Sequence, residues 1–194
     1  ARQLEILHRR RGNHSAIMPP MQRVPNAAFA PELDARLKEL WGTPVNLYRA
    51  LGNQPGLTAA WTEFANAIRH DSRTPRALRE IMILRTAQIA RSEYEWAHHL
   101  RMARKAGVDE ARIAALAGWR SSAVFDAKER AALALTESVM ACNVTDEVHA
   151  EMKRHFSDAE FVELSLTASF YAMVSRMLDA MRVELDEDVR DHQP

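Results

Sequence analysis

The chain has 194 residues and a mass of 22.0 kDa, enough for one domain that buries roughly 70% of the surface its unfolded form exposes. Its 26 Lys and Arg residues meet 26 Asp and Glu residues, with 47% hydrophobic and 27% charged overall. That balance argues against nucleic acid as a partner; the lack of any uninterrupted apolar run of about 18 residues argues against a membrane span. The single cysteine, Cys142, excludes an intrachain disulfide and any Cys-x-x-Cys redox or zinc motif within one chain.

Residues 1–30 differ from the rest. Arg2, Arg9, Arg10, Arg11 and Arg23 face only Glu5, and Pro19, Pro20 and Pro25 interrupt every period, so a basic arm, extended or mobile, is expected. No apolar stretch follows the arginines, which makes a secretory signal a poor fit, and Met18 offers an internal start that would leave residues 1–17 outside the fold. A neutral pI without targeting signals suggests a cytoplasmic protein.

From residue 31 to 194 the chain reads as a single all-helical domain. Pro31, Pro44, Pro55 and Pro75 stand near segment starts and Gly42, Gly52, Gly107 and Gly118 between segments, while residues 76–193 contain no proline. This is the proline-first, glycine-last asymmetry of helices. The periodicity predicts helices over 31–41, 45–52, 56–70, 75–91, 93–106, 109–117, 127–142, 146–155 and 158–186. Asp126 with Glu129 and Ser157 with Glu160 form capping boxes, and Thr74 before Pro75 reads as a further cap. Two helices are apolar almost all round. One carries Ile81, Met82, Ile83 and Leu84; the other carries Leu164, Leu166, Phe170, Met173 and Val174. Such helices are enclosed, within a compact bundle or by another subunit, and oligomerisation is expected.

The run Ser92-Glu93-Tyr94-Glu95-Trp96-Ala97-His98-His99 concentrates the residues that can carry chemistry. Residues three and four apart share a helix face, so Glu95 neighbours both histidines. His99 borders the apolar stripe of Trp96, Leu100 and Ala103 and is expected to point inward, whereas His98 shares a solvent-like face with Tyr94, Arg101 and Lys105. Glu95 with His99 makes either an acid–base pair or a helix-stabilising pair worth roughly 0.2–0.5 kcal/mol. Glu80, on an apolar helix, is expected to be partly buried. It is a general acid or base if burial raises its pKa, or a structural ion pair if Arg76 neutralises it. Glu95-Trp96-Ala97-His98 also matches one Glu-x-x-His element of a di-iron bundle, but such sites need two of these and further inward glutamates, so no metal is assigned. Cys142 follows the stripe Leu135, Val139, Met140 and reads as a core thiol.

The segment Arg79-Glu80-Ile81 through Leu84-Arg85-Thr86-Ala87, the cluster just described, and Ala106-Gly107-Val108 together resemble the carboxymuconolactone decarboxylase family, which includes the alkyl hydroperoxidase D proteins. The likeness is strongest over about residues 57–140. It implies an AhpD-like helical bundle that assembles as a homo-oligomer: a dimer, trimer or hexamer. The peroxidase branch of that family carries Cys-x-x-Cys-x-x-x-His preceded by a glutamate. Here Ser92 and Glu95 occupy the two cysteine positions while Glu80 and His99 remain, so disulfide cycling is absent. The resemblance then implies a decarboxylase-like lyase that needs no cofactor and acts on a small carboxylated lactone or related carbonyl acid. His99 would stabilise or protonate a dienolate, Glu95 would fix its tautomer and Glu80 would exchange the second proton. Tyr94, His98 and Ser92 are the expected substrate-binding residues. The alternative is a non-catalytic or regulatory oligomer that kept the fold after losing the cysteines.

Overall fold

Proline at the first turn, where its missing N–H leaves no bond unmade, opens α1 (Pro31–Trp41) and α3 (Pro55–His70), with the short α2 (Asn46–Leu51) between them. The computed structural model describes residues 21–192. The arginines at positions 2, 9, 10 and 11 and Met18 lie outside those residues. Then follow α4 (Arg76–Ala90), α5 (Glu93–Lys105), α6 (Glu110–Ala115) running into a 3-10 turn at Leu116–Ser121, α7 (Ala127–Met140), α8 (Asp146–His155), α9 (Asp158–Met181) and a closing 3-10 turn at Glu187–His192. The described residues contain no strand.

Both capping boxes form: Asp126 with Glu129 opens α7 and Ser157 with Glu160 opens α9. The cap expected at Thr74 does not form. Pro75 is the N-cap of α4 and makes no side-chain cap. Instead Glu163 of α9 accepts the backbone N–H groups of Arg73 at 2.9 Å and Thr74 at 3.0 Å. This carboxylate from α9 ties down the loop before α4 and does not accept from the first turn of the helix itself.

α4 is the central rod, packed against α5, α7 and α9, and Ile81, Met82, Ile83 and Leu84 are all buried. α9 is enclosed on one side only. Leu164, Phe170, Tyr171, Val174 and Leu178 face the core, whereas Val162, Leu166 and Met173 are exposed. Within the single chain the expected all-round enclosure therefore holds for α4 and not for α9.

Three helices end at a left-handed residue that is not glycine. Arg91, Cys142 and Arg182 close α4, α7 and α9 in or near the left-handed region, with φ of 54°, 52° and 49°, where glycine is the usual occupant. Two expectations change as a result. Cys142 is exposed at the end of α7 rather than held in the core. α9 stops at Met181, not residue 186, and the chain reverses: Val183 donates to the Leu178 carbonyl at 3.1 Å. The returning segment packs Val183 and Leu185 against the α3–α9 core and buries Val189 completely.

Residues 21–30 form an extended segment along the body. Arg23 donates its backbone N–H to the Met181 carbonyl and Ala27 to the Arg49 carbonyl, each at 2.9 Å, and Phe29 packs against Leu33, Leu37 and Tyr48. No described helix is long and apolar enough to cross a membrane.

Candidate functional site

The tight turn at Arg91 sends α5 back along α4, and this reversal places Glu80 opposite His99. Ser92 is the hinge of that geometry. Its Oγ accepts the Glu95 backbone N–H at 3.4 Å as the α5 N-cap, a structural task, and the residue does not line the cavity described below. The expectation that Ser92 binds substrate is therefore not carried by its position.

Glu80 has no exposed surface and His99 is 3% exposed. Glu80 Oε2 lies 2.8 Å from His99 Nδ1, and Glu80 Oε1 accepts Arg76 Nε at 2.6 Å. Burial pushes the Glu80 carboxyl upward, but His99 and Arg76 outweigh it and hold the group below its ordinary value. Glu80 is thus an anion that accepts the His99 Nδ1–H and turns the ring so that Nε2 lies on the side of Glu95. The tautomer follows from this contact. The orienting contact is made by Glu80 and not, as the sequence suggested, by Glu95.

Glu95 sits on the other side of the ring. Its Oε2 is 3.6 Å from His99 Nε2, beyond hydrogen-bond reach, and this buried oxygen has no hydrogen-bond partner among the described residues. Burial pushes the Glu95 carboxyl up, and the counteracting fields of His99, Arg69 and His98 do not restore it. A buried carboxyl whose affinity for a proton is raised, next to an oriented imidazole, is an arrangement that can exchange a proton with a bound molecule. The His99 ring is further fixed edge-on against Tyr171, centroids 4.7 Å apart.

His98 and Tyr94 do not form the solvent-like face expected of them. Each is 6% exposed, because the reversed segment after α9 covers them. Asp186 accepts the Tyr94 hydroxyl at 2.6 Å and lies 3.0 Å from His98 Nε2, and it also receives the Asn46 backbone N–H at 2.9 Å. Those three partners outweigh burial and hold its carboxyl below the usual range. The sequence held no signal for Asp186, which it assigned to the end of the last helix.

A cavity of about 610 Å³ opens beside Glu95 and His99, bounded by the loop before α2, the end of α3, the start of α4 and one side of α5. Trp41, Tyr48, Arg69 and Met102 contribute to its wall, as do Tyr94 and His98. Its size suits a small organic ligand. Among the described residues no three His, Cys, Asp or Glu side chains are grouped to hold a metal ion.

The profile of the Carboxymuconolactone decarboxylase family matches residues 55–138, a span that holds Glu80, Ser92, Glu95 and His99. The uncharacterized protein YdfG of Bacillus subtilis (strain 168) is 30% identical over 94 residues. Those residues are 47% of this chain and 64% of that relative, so the match spans less than two thirds of its length. Among solved structures, the alkylhydroperoxidase AhpD core of an uncharacterized peroxidase-related protein from Ralstonia eutropha JMP134 aligns with a TM-score of 0.76 at 16% identity, over 88% of this chain and 95% of that one. The debrominase Bmp8 in complex with 2,3,4-tribromopyrrole aligns with a TM-score of 0.72 at 19% identity, over 86% and 94%. At these identities the structural likeness establishes the fold.

Proposed function

We propose that this chain, whose residues 55–138 match the carboxymuconolactone decarboxylase family and whose fold is AhpD-like, is a lyase that decarboxylates a small carboxylated lactone or related carbonyl acid by proton transfer. The observation that carries this reading is a ligand-sized cavity opening on a buried carboxyl, Glu95, whose Oε2 lacks a partner beside the His99–Glu80 pair. A network serving only to stabilise the bundle would be fully satisfied and tightly packed, so these features count against the non-catalytic alternative. Thiol chemistry has no support in the cavity wall, since the one cysteine is exposed at the end of α7.

In the proposed reaction the bond between the carboxylate and its carbon breaks and the electron pair enters the conjugated lactone carbonyl. Carbon dioxide leaves and a dienolate remains. The carbonyl is itself the electron sink, so no metal or organic cofactor is required. Glu95 delivers its proton to the dienolate carbon, and His99, on the same cavity wall, helps return one from solvent. Glu80 stabilises the positive charge the imidazole takes up meanwhile. One proton is consumed per carbon dioxide released. The same reading makes the protein a homo-oligomer, with the exposed Val162, Leu166 and Met173 stripe of α9 covered by another copy.

The test is proton NMR in D2O with γ-carboxymuconolactone, comparing the wild type with His99→Ala. Decarboxylation with deuterium uptake that vanishes in a folded His99→Ala supports the lyase. Wild-type rates in that variant remove His99 from the mechanism, and deuterium uptake without decarboxylation rejects this substrate.

A further inference from the structure

The cavity wall holds more positive than negative charge, and its cations are not equally occupied. Arg76 is engaged by Glu80, and Arg101 by Asp188 at 2.9 Å. Arg79 donates to the carbonyls of Ile68 at 2.7 Å, Arg69 at 3.2 Å and Thr74 at 3.3 Å. Arg69, in the last turn of α3, is different. Its Nη1 donates to the Tyr48 hydroxyl at 2.9 Å and its Nε to the Tyr171 hydroxyl at 3.3 Å. Among the described residues it forms no salt bridge, and no bond is made by Nη2. Its guanidinium lies over the Trp41 ring, 4.9 Å from the centroid.

Neither hydroxyl neutralises this cation. Burial outweighs the effect of Arg69 and pushes the Tyr48 phenol up to about 12, and it raises Tyr171 as well, so both stay uncharged near neutral pH. Each hydroxyl accepts from Arg69 and donates to no atom of the described residues. A guanidinium held in place by hydroxyls and an aromatic face, with an unused N–H edge, is preorganised for a planar oxyanion. Tyr171 also touches the His99 ring, so a single side chain separates this cation from the proton-transfer pair.

We infer that Arg69 binds a carboxylate of the substrate and makes the cavity selective for carboxylic acids over their neutral analogues. This rests on the reading of the cavity as the substrate site. The anion held is one the substrate keeps. A cation on the departing carboxylate would lose its partner as carbon dioxide forms, stabilising the ground state more than the transition state.

The experiment is titration calorimetry with 2-furoate and its neutral counterpart 2-furamide, on the wild type, Arg69→Met, Arg69→Gln and Lys105→Gln. Lys105 is an exposed cation of the same wall and controls for general attraction. The wild type is expected to bind furoate at least about tenfold more tightly than furamide. Both Arg69 variants are expected to lose that preference while keeping their furamide affinity, and Lys105→Gln to retain it. Arg69→Gln keeps amide donors for the tyrosine hydroxyls and decides the matter if Arg69→Met does not fold. Equal wild-type affinity for acid and amide overturns the inference, as does a preference that survives in the folded Arg69 variants. Binding is read without turnover. An Arg69-dependent preference with no decarboxylation of γ-carboxymuconolactone leaves this inference standing and removes the lyase, whereas decarboxylation without the preference does the reverse.

Discussion

Replacing Glu95 by methionine is expected to make the protein more stable and inactive at once. Glu95 is 4% exposed and its buried Oε2 has no hydrogen-bond partner; an unsatisfied buried polar atom costs about 1–3 kcal/mol. Methionine has a similar volume and no such penalty. The folded protein holds the Glu95 proton more tightly than the unfolded chain does, because burial raises the carboxyl above its ordinary 4.5. The stability contributed by protonated Glu95 is therefore complete below pH 4.5 and is lost as pH rises through the folded-state value. The gain in Glu95→Met is accordingly larger at pH 8 than at pH 5. With about 1–2 kcal/mol recovered at pH 8 and about 2–4 °C per kcal/mol for a chain of this size, Tm should rise by roughly 2–8 °C. Thermal unfolding followed by circular dichroism at both pH values measures this, with turnover assayed on the same samples. A fall in Tm, or a gain equal at pH 5 and pH 8, would refute the picture of Glu95 as a strained buried acid.

Glu80→Gln has the opposite signature. The wild-type carboxyl is held below its ordinary value, so its contribution to stability is present above pH 4.5 and is lost as pH falls through the folded-state value. The variant should lose about 1–3 kcal/mol at pH 7 and show a flatter acid limb in unfolding against pH, with turnover reduced about 10–100-fold by analogy with the carboxylates that orient metal-bound histidines. Asp186→Asn weakens the acceptor shared by Tyr94, His98 and the Asn46 N–H. Faster amide exchange over residues 183–190 is expected, with exchange in α4 unchanged, and equal acceleration in both would show that the segment does not open separately. Leu166→Asp, on the exposed face of α9, should lower the particle mass in sedimentation equilibrium if that stripe joins copies of the chain.

The parts of this protein that its sequence determined by itself are the local ones. Helix starts at Pro31, Pro55, Asp126 and Ser157 are legible because proline geometry and capping boxes act within four residues. The inward direction of His99 followed from its place beside the α5 apolar stripe, and the burial of Glu80 from the greasy run that surrounds it. Tertiary structure decided the rest. Which carboxylate orients His99 depends on how α4 lies against α5, and helix periodicity favoured the i,i+4 neighbour Glu95 over the true partner Glu80, 19 residues away. The covering of Tyr94 and His98 depends on a reversal at Arg182, a residue type that does not announce a left-handed cap. That reversal is stabilised by burying Val183, Leu185 and Val189 and by seating Asp186 on His98, 88 positions earlier in the chain. Nothing in the sequence singles out Arg69. Only the packing of α2, α3 and α9 surrounds it with two hydroxyls and an indole face, and contacts of that separation leave no periodic trace in a single chain.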